Sequence, residues 1–396
     1  MAPNSMSQTL VGLSPDLRRL VDESYDIEIR RENLLVHHVP FVNEGGSVQY
    51  GILVSELSTN GEQTIQPGRH EMWLVGGIPY DHRGQKVSVV NSEVATDFGE
   101  GLVAACSMSA KVHNQSPANY YEKVVNYVSI LSRYARGVEP TSTHANFPAR
   151  ESSIEESVFR YHDSFTSRAG LSAVTAKLRI GKVAIVGLGG TGSYILDLVA
   201  KTSVDEIHLF DHDAFYAHNA FRAPGAASLD ELRVEPCKVN YLANKYDVMR
   251  RNIFPYPVML SAENVSELNG MDFVFLALDA GPQKKTIVDA LVAANVPFVD
   301  ASMGMQRKEN TLRGQIQVTT GKSGHYGHIG RRISFADVNA NEYDWNIQTA
   351  DLNMMNAAMA VIKWKKFLGY YADERQELNS SYTVASNLLI NGETPE

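Results

Sequence analysis

VAIVGLGGTGSYILDLVAKTSVDEIHLFDHDAFYAHNAFR, the sequence of residues 183–222, decides the fold of the larger part of this chain. Its first four residues are apolar and mostly β-branched, which is typical of a buried parallel strand. The glycine-rich run 187–192 follows directly, and residues 193–200 have the composition of a helix. This order of strand, glycine turn and helix is the context in which the pattern G-x-G-x-x-G predicts a nucleotide-binding loop.

The glycines of this loop are the first candidate binding residues. Without side chains, they let the backbone approach a phosphate closely, and the helix start offers free N–H groups to it. A second predicted strand, 206–210, ends at Asp211, where an acid commonly binds a ribose hydroxyl. These features predict nucleotide binding but are equally compatible with an NAD-dependent oxidoreductase. The loop candidates are Gly187, Gly189, Gly190 and Gly192.

The charged residues after Asp211 narrow the choice. Asp213, Asn219 and Arg222 follow it in the string DHDAFYAHNAFR. A dehydrogenase needs nothing of this kind, whereas a nucleotidyl transferase must neutralise a triphosphate and stabilise a leaving group. The string therefore favours nucleotidyl transfer, and a role in structuring the loop is the alternative for Asn219 and Arg222.

Composition limits the classes of protein. The length of 396 residues predicts two or three domains, and 44% apolar with 20% charged residues is ordinary for a globular chain. A net charge of -9 argues against nucleic acid or acidic membranes as partners. Without a signal-peptide pattern or a membrane-length apolar run, a cytoplasmic location is expected. Two cysteines, Cys106 and Cys237, are too few for a disulfide framework or a zinc site of paired C-x-x-C motifs.

The order of predicted elements gives the fold class. Residues 1–137 are expected to form a smaller α+β domain, 138–154 a linker, 155–376 the nucleotide-binding domain, and 377–396 a polar, frayed tail. Strands and helices alternate in the second domain, which predicts an α/β, doubly wound, mostly parallel Rossmann-like sheet. Its predicted strands are 183–186, 206–210, 257–261, 271–279, 296–300 and 312–320, and its predicted helices include 155–166, 238–249 and 281–294.

Together these motifs give the second domain a family resemblance. Residues from about 155 to 370 resemble the ThiF-type adenylyltransferases and the adenylation domains of ubiquitin-activating enzymes. The glycine loop matches their nucleotide loop, and the spacing D-x-D…N-x-x-R is kept from Asp211 to Arg222. Lys238 resembles the family's nucleotide-contacting lysine, and Asp279 resembles its magnesium-linked aspartate. The whole chain also resembles a bacterial subfamily associated with ubiquitin-like and conjugating-enzyme-like proteins, which implies a protein-modification pathway.

The resemblance implies a reaction. The C-terminal carboxylate of a small β-grasp protein would attack the α-phosphate of ATP, bound with Mg²⁺, and expel pyrophosphate. Asp211 would hold the ribose, Asn219 would orient the α-phosphate, and Arg222 and Lys238 would offset phosphate charge. Asp279 would position the metal. No general base is needed, because the attacking carboxylate is already ionised at neutral pH.

The resemblance also implies a homodimer. Family members often borrow an arginine from the helix before the glycine loop of a second subunit. Arg160 and Arg168 lie in that region, and we prefer Arg168. The N-terminal domain would recruit the ubiquitin-like protein or the acceptor enzyme.

The cysteine content departs from the family pattern. No cysteine lies between Asp279 and Glu396, so a thioester at the usual place is excluded and a zinc site is not expected. Either the enzyme stops at the acyl-adenylate and a partner's nucleophile takes the acyl group, or a hydroxyl or an unusual cysteine carries it. Cys237 immediately precedes Lys238, close to the predicted phosphates, but the favoured interpretation is an ordinary small residue.

Less specific interpretations remain open for several residues. Lys238 could be a solvated residue at a helix end, and Asp279 could cap the helix that begins near Gly281. The whole chain could be an inactive scaffold resembling half of a ubiquitin-activating enzyme. Retention of Arg222, Lys238 and Asp279 argues against the scaffold, because an inactive copy would be free to lose them.

Overall fold

A computed structural model describes residues 10–11, 13–99, 101–112, 115–145, 152, 157–161, 163, 165–166, 171–336 and 347–394. Contacts divide the chain into two compact units, each with its own sheet. The first unit comprises Met1–Ser157 with Tyr161–Val174, and the second comprises Val158–Arg160 with Thr175–Glu396.

The first unit is built on an antiparallel sheet. Its strands are β1 (Ile27–Arg30), β2 (Asn33–Val42), β3 (Val48–Glu56), β4 (Thr59–Asn60), β5 (Gln63–Thr64), β6 (Met72–Val75), β7 (Val90–Ser92), β8 (Thr96–Asp97) and β9 (Val103–Met108). The main sheet has the order β1-β2-β3-β6-β9-β7, with β8 also paired to β9, and β4 and β5 form a separate hairpin. Helices α1 (Pro15–Asp22) and α2 (Tyr120–Val138) bury apolar stripes against the sheet. The expected α+β organisation of the first part is confirmed.

The second unit contains the larger sheet. Its strands are β10 (Lys182–Val186), β11 (Glu206–Phe210), β12 (Ile253–Tyr256), β13 (Phe273–Leu276), β14 (Phe298–Lys308), β15 (Thr311–Gly321), β16 (Asn379–Thr383) and β17 (Leu388–Gly392). The order is β12-β11-β10-β13-β14-β15-β16-β17, parallel from β12 to β14 and antiparallel beyond. The predicted doubly wound, mostly parallel sheet is confirmed, and its direction of winding reverses between β10 and β13.

Helices cover both faces of this sheet. Alternate residues of β10 point to opposite faces, so Val183 and Ile185 belong to one apolar cluster and Ala184 and Val186 to another.

The described helices that follow α2 in the chain are α3 (Ser172–Thr175), α4 (Gly190–Val199), α5 (Ala217–Ala220), α6 (Leu229–Arg233), α7 (Lys238–Asp247), α8 (Pro282–Ala293), α9 (Ile329–Arg332) and α10 (Ala350–Phe367), with 3-10 turns at Ala176–Leu178, Val265–Leu268 and Val384–Ser386. Helices α4, α7 and α10 pack on the first face, and α8 packs on the second.

Two predictions for the second unit were wrong, one for the position of a strand and one for the C-terminal tail. The strand expected at 257–261 lies earlier, as β12, and it contains Pro255. A proline is tolerated there because β12 is an edge strand. The tail expected to fray instead contributes β16 and β17. Two of its polar residues, Asn379 and Ser380, are buried with partners: the Thr319 hydroxyl donates to Asn379 at 2.9 Å, and the Ser380 hydroxyl donates to Asn391 at 2.6 Å.

One further prediction concerns a shorter segment. The helix expected at 155–166 falls partly outside the described residues, and within 157–161 Phe159 forms a β-bridge with Arg250 instead of a helical turn. The glycine-rich segment after β15 contains the short helix α9. No helix in the described part of the chain combines the length and the apolar character needed to cross a membrane.

Candidate nucleotide site

A cavity of about 580 Å³ opens at the carboxyl ends of the parallel strands, where β10 and β13 diverge in winding direction. Ligands bind at this place in doubly wound sheets, because the loops leave opposite faces and open a crevice. Of the residues predicted from sequence, the following line it: Gly187, Gly189, Gly190, Asp211, Asp213, Asn219, Arg222, Lys238 and Asp279. Gly192 packs behind the loop, and Arg168 lies outside the described residues.

The glycine loop owes its shape to two close backbone approaches. Gly187 has φ +87°, and a Cβ atom there would lie 2.5 Å from the carbonyl oxygen of Ala277. A Cβ atom on Gly192 would overlap the carbonyl of Gly187. Gly189 differs, because nothing lies within 4 Å of the Cβ position and its φ is -69°. Gly187 and Gly192 are therefore required by the fold. At Gly189, by contrast, the lack of a side chain leaves open space beside the backbone.

Asp211 braces this loop from the end of β11. Its side chain is 7% exposed, and its two oxygens accept hydrogen bonds from Leu188 N at 2.6 Å and Asp213 N at 2.9 Å. A carboxylate that accepts backbone N–H groups is stabilised in its ionised form and fixes the backbone that supplies them. Asp211 thus has a structural role in addition to the ribose contact predicted for it.

Lys238 lies at the start of α7 and is buried against the same carboxylates. Its Nζ atom is 2.6 Å from Asp213 Oδ2 and 3.8 Å from Asp211 Oδ1. Burial raises the pKa of Asp213, but the hydrogen bond and charge of Lys238 outweigh it and leave that pKa below its ordinary value. Lys238 is therefore a buried cation in the cavity wall and not a solvated residue at a helix end.

Asn219 and Arg222 bring hydrogen-bond donors into the cavity wall. Asn219 is 3% exposed; its Oδ1 accepts from Tyr216 N at 2.9 Å. Among the described residues, neither Asn219 Nδ2 nor Arg222 Nε has a hydrogen-bond partner. Burial lowers the pKa of Arg222, and the charge of Asp279 opposes that shift. Buried donors without acceptors are costly, so their presence suits a site that receives acceptor oxygens from a ligand.

Asp279 lies in the loop between β13 and α8. It is near enough to Arg222 to influence its pKa, and it lines the cavity. Among the described residues, a cluster of three metal-type ligand atoms is formed by Asp211, His212 and Asp213, within 4.8 Å of one another. The ammonium group of Lys238 already pairs with both aspartates, so the positive charge at this cluster comes from a side chain of the protein.

Sequence comparison decides the family. The ThiF family matches residues 165–388, more than half of the chain. This chain belongs to the ThiF family. The family resemblance seen in the sequence is confirmed, and the chain has a ThiF-family domain on a mixed α/β fold. Ahead of the ThiF domain, residues 15–164 match a domain of unknown function, DUF6791.

Individual relatives of the ThiF domain are distant. The "Ubiquitin-like modifier-activating enzyme 5" of Aedes aegypti is 23% identical over 161 residues, which span 38% of this chain and 40% of that enzyme. Among solved structures, E. coli MccB with ATP has a TM-score of 0.44 and 16% identity, covering 59% of this chain and 70% of MccB. PaaA has a TM-score of 0.44 and 15% identity, covering 69% of this chain and 86% of PaaA.

The structure adds residues of the ThiF domain that the motifs did not reveal. Asn353 in α10 is fully buried against Gly190, and Lys284 and Asp300 form a buried pair at the cavity. Two signals were present in the sequence. Asp300 ends an apolar strand as Asp211 does, and Asn353 and Asn356 are spaced to share one face of an apolar helix.

The two cysteines of the chain lie away from the cavity lining. Cys237 packs against the apolar core, and Cys106 is fully buried in the first unit. Burial raises the pKa of the Cys106 thiol to about 11, which keeps it in the unreactive thiol form. Neither cysteine is among the residues that line the cavity, although Cys237 adjoins Lys238 and forms a β-bridge with Ala214, both of which do.

Proposed function

We propose that this chain is an ATP- and Mg²⁺-dependent adenylyltransferase that activates the C-terminal carboxylate of a ubiquitin-like protein. The observation that carries the proposal is the pair of buried donors, Asn219 Nδ2 and Arg222 Nε, which lack partners among the described residues and belong to the same cavity wall as the glycine loop. The name of the mosquito relative supports the ubiquitin-like substrate.

The cavity suits a nucleoside triphosphate. A volume of about 580 Å³ is within the usual range of small-molecule sites. The glycine loop supports a phosphate because its backbone is unshielded at Gly189 and leads into the N-terminus of α4. Arg222 and Lys238 supply positive charge, and Asp279 supplies a carboxylate for Mg²⁺, which would shield the phosphate oxygens.

The proposed reaction forms an oxygen–phosphorus bond between the substrate carboxylate and the α-phosphate and breaks the α–β bridge, so pyrophosphate leaves with the electron pair. Arg222 and Asn219 stabilise the charge that develops on the α-phosphate, because Arg222 Nε and Asn219 Nδ2 are buried donors without partners among the described residues. Asp211 holds the ribose while it braces the loop. Lys238 offsets charge on the phosphate chain, and no residue needs to remove a proton.

The rest of the chain would serve this step. Residues 155–376 form the adenylating domain in this proposal, and residues 1–137, followed by the linker 138–154, recruit the ubiquitin-like protein or a conjugating-enzyme-like partner. A homodimer would bring Arg168 of a second subunit to the nucleotide. Because no cysteine lies between Asp279 and Glu396, the acyl-adenylate passes in this proposal to a partner's nucleophile and not to a thioester at the usual place.

The test is ATP–pyrophosphate exchange in the presence of Mg²⁺. The substrate is the ubiquitin-like protein encoded nearest to this gene, with the same protein carrying a C-terminal amide as the matched control. Exchange that requires the free carboxylate supports the proposal. Absence of exchange combined with tight NAD binding would favour the oxidoreductase, and absence of both exchange and nucleotide binding would favour the inactive scaffold.

A further inference from the structure

We propose that Lys284 is a further phosphate-binding residue of this site and exchanges its partner Asp300 for a phosphate oxygen when nucleotide binds. The inference rests on the proposed nucleotide site. Lys284 lines the same cavity as Arg222 and Lys238, and its side chain is 2% exposed.

The position of Lys284 follows from the chain around it. Helix α8 begins at Pro282, directly after the loop that carries Asp279, and Lys284 is its third residue. Helical side chains tilt toward the N-terminus of their helix, which here is the cavity end. The ammonium group lies against Asp300 of the neighbouring strand β14, and Lys284 belongs to the cavity lining together with Asp279.

The partner of Lys284 is a single buried carboxylate. Its Nζ atom lies 2.5 Å from Asp300 Oδ1, and the Asp300 side chain is 1% exposed. Neither oxygen of Asp300 receives a well-directed hydrogen bond from the described residues. Burial raises the pKa of Asp300, and Lys284 opposes the shift. A buried pair with so little hydrogen bonding is a weak source of stability, since apolar residues of similar size commonly serve as well.

The same arrangement occurs at neighbouring strands of the sheet. An aspartate follows each of β11 and β13, and Asp300 lies at the end of the parallel pairing of β13 with β14. A cation in the cavity wall faces each acid: Lys238 faces Asp211, Arg222 is close to Asp279, and Lys284 faces Asp300. The first two cations already have proposed phosphate contacts. An ammonium group has three N–H donors, so Lys284 can donate to a phosphate oxygen while its side chain stays in the cavity wall.

The experiment measures binding and not turnover. Affinities of the full chain for ATP and for AMP, each with Mg²⁺, are determined by calorimetry for the wild type, Lys284→Met, Lys284→Arg and Asp300→Asn. Lys285→Met is the matched control, because Lys285 is the exposed neighbour on α8 and pairs with Asp289 at 2.6 Å. Lys284→Met should weaken ATP binding by about tenfold to hundredfold and leave AMP binding nearly unchanged. Lys284→Arg should retain most of the preference for ATP, and Lys285→Met should retain all of it.

Asp300→Asn separates this role from a structural one. If Asp300 competes with phosphate for Lys284, this variant should bind ATP as well as or better than the wild type. If the pair only supports the fold, both partners' variants should weaken ATP and AMP alike, which would overturn the inference. The double variant Lys284→Met, Asp300→Leu removes both buried charges of the pair, and it should also lose the preference for ATP over AMP. It provides the same test if Lys284→Met alone does not fold. Unaltered ATP binding in Lys284→Met overturns this inference alone, whereas a wild type that binds no ATP overturns the proposed function with it.

Discussion

The hydroxyl of Thr191, in the glycine loop, donates a 2.9 Å hydrogen bond to Oδ1 of Asn353, a residue 162 positions later in the chain. The amide nitrogen of Asn353 in turn donates to the backbone carbonyl of Arg222 at 3.3 Å. One fully buried side chain of α10 therefore ties the glycine loop to the segment that carries the proposed α-phosphate contacts.

Replacing Asn353 should affect both stability and nucleotide binding. Asn353→Ala removes both bonds and leaves the Thr191 hydroxyl buried without its acceptor, so the free energy of unfolding should fall by about 1–3 kcal/mol. Because the loop and the Arg222 segment lose their link, ATP affinity should fall as well. Thermal unfolding and calorimetry measure the two effects. Met354→Ala, at an exposed position of the same helix, should change neither, and equal losses in both variants would contradict the role assigned to Asn353.

The glycines of the loop should separate into two classes. Gly187→Ala forces a side chain into a left-handed backbone position and against the Ala277 carbonyl, and it should destabilise the fold strongly. Gly189→Ala meets no neighbour, so its stability should stay within about 0.5 kcal/mol of the wild type. Its methyl group would occupy the space proposed for phosphate, and ATP affinity should drop. Chemical denaturation and nucleotide titration of the two variants give the comparison; a stable Gly189→Ala with unchanged ATP affinity would argue against phosphate at this loop.

Arg222 and Asp279 should be needed for the reaction and not for the fold. Arg222→Ala and Asp279→Ala should each reduce ATP–pyrophosphate exchange by about a hundredfold or more, because each removes a charged group placed for the reacting phosphates or the metal. Circular dichroism should show a folded protein in both cases. Arg233→Ala, in an exposed position on α6, is the control and should exchange at the wild-type rate. Retained exchange in both site variants would remove the site assignment.

Glu377 should make stability depend on pH. It accepts hydrogen bonds from Lys363 and Lys366 of α10, each at 2.9 Å. Burial raises its pKa, but these two lysines outweigh burial and lower the pKa to about 2. A lowered pKa stabilises the folded state above the unfolded value of about 4.5, and that contribution is lost as the pH falls from there toward 2.

The corresponding variant is Glu377→Gln. At neutral pH it should be less stable than the wild type by about 2 kcal/mol, and the difference should shrink as the pH falls below about 4.5. Thermal unfolding across this pH range measures it. Glu374→Gln, an exposed neighbour, should match the wild type throughout. A stability difference that stays constant down to pH 3 would show that the charge of Glu377 is not its cause.

Local sequence was sufficient for four of the five parallel strands, all but β12, and it predicted many of the residues that line the cavity. Strand β10, the glycine loop and α4 are contiguous, so their order is set by short-range patterning. Asp211, Asp279 and Lys238 were found because each lies at the end of an element, and the ends of parallel strands meet at one edge of the sheet. The two strands of the C-terminal tail were missed, because their place in the sheet is set by cross-strand pairing with β15, a distant part of the chain, which composition does not reveal.

By itself, the sequence determined the doubly wound fold and the glycine loop, and it predicted most of the charged residues that line the cavity. These features depend on periodicity and spacing within a continuous stretch of sequence, which act through interactions between residues close together in the chain. Only the tertiary structure decided that Asn353 joins the glycine loop to Arg222 and that Lys284, a residue of the cavity lining, pairs with Asp300. Those contacts join residues from different helices, strands and loops. They form because sheet and helix packing removes water from between the elements and leaves each buried polar group to find its partner in the protein.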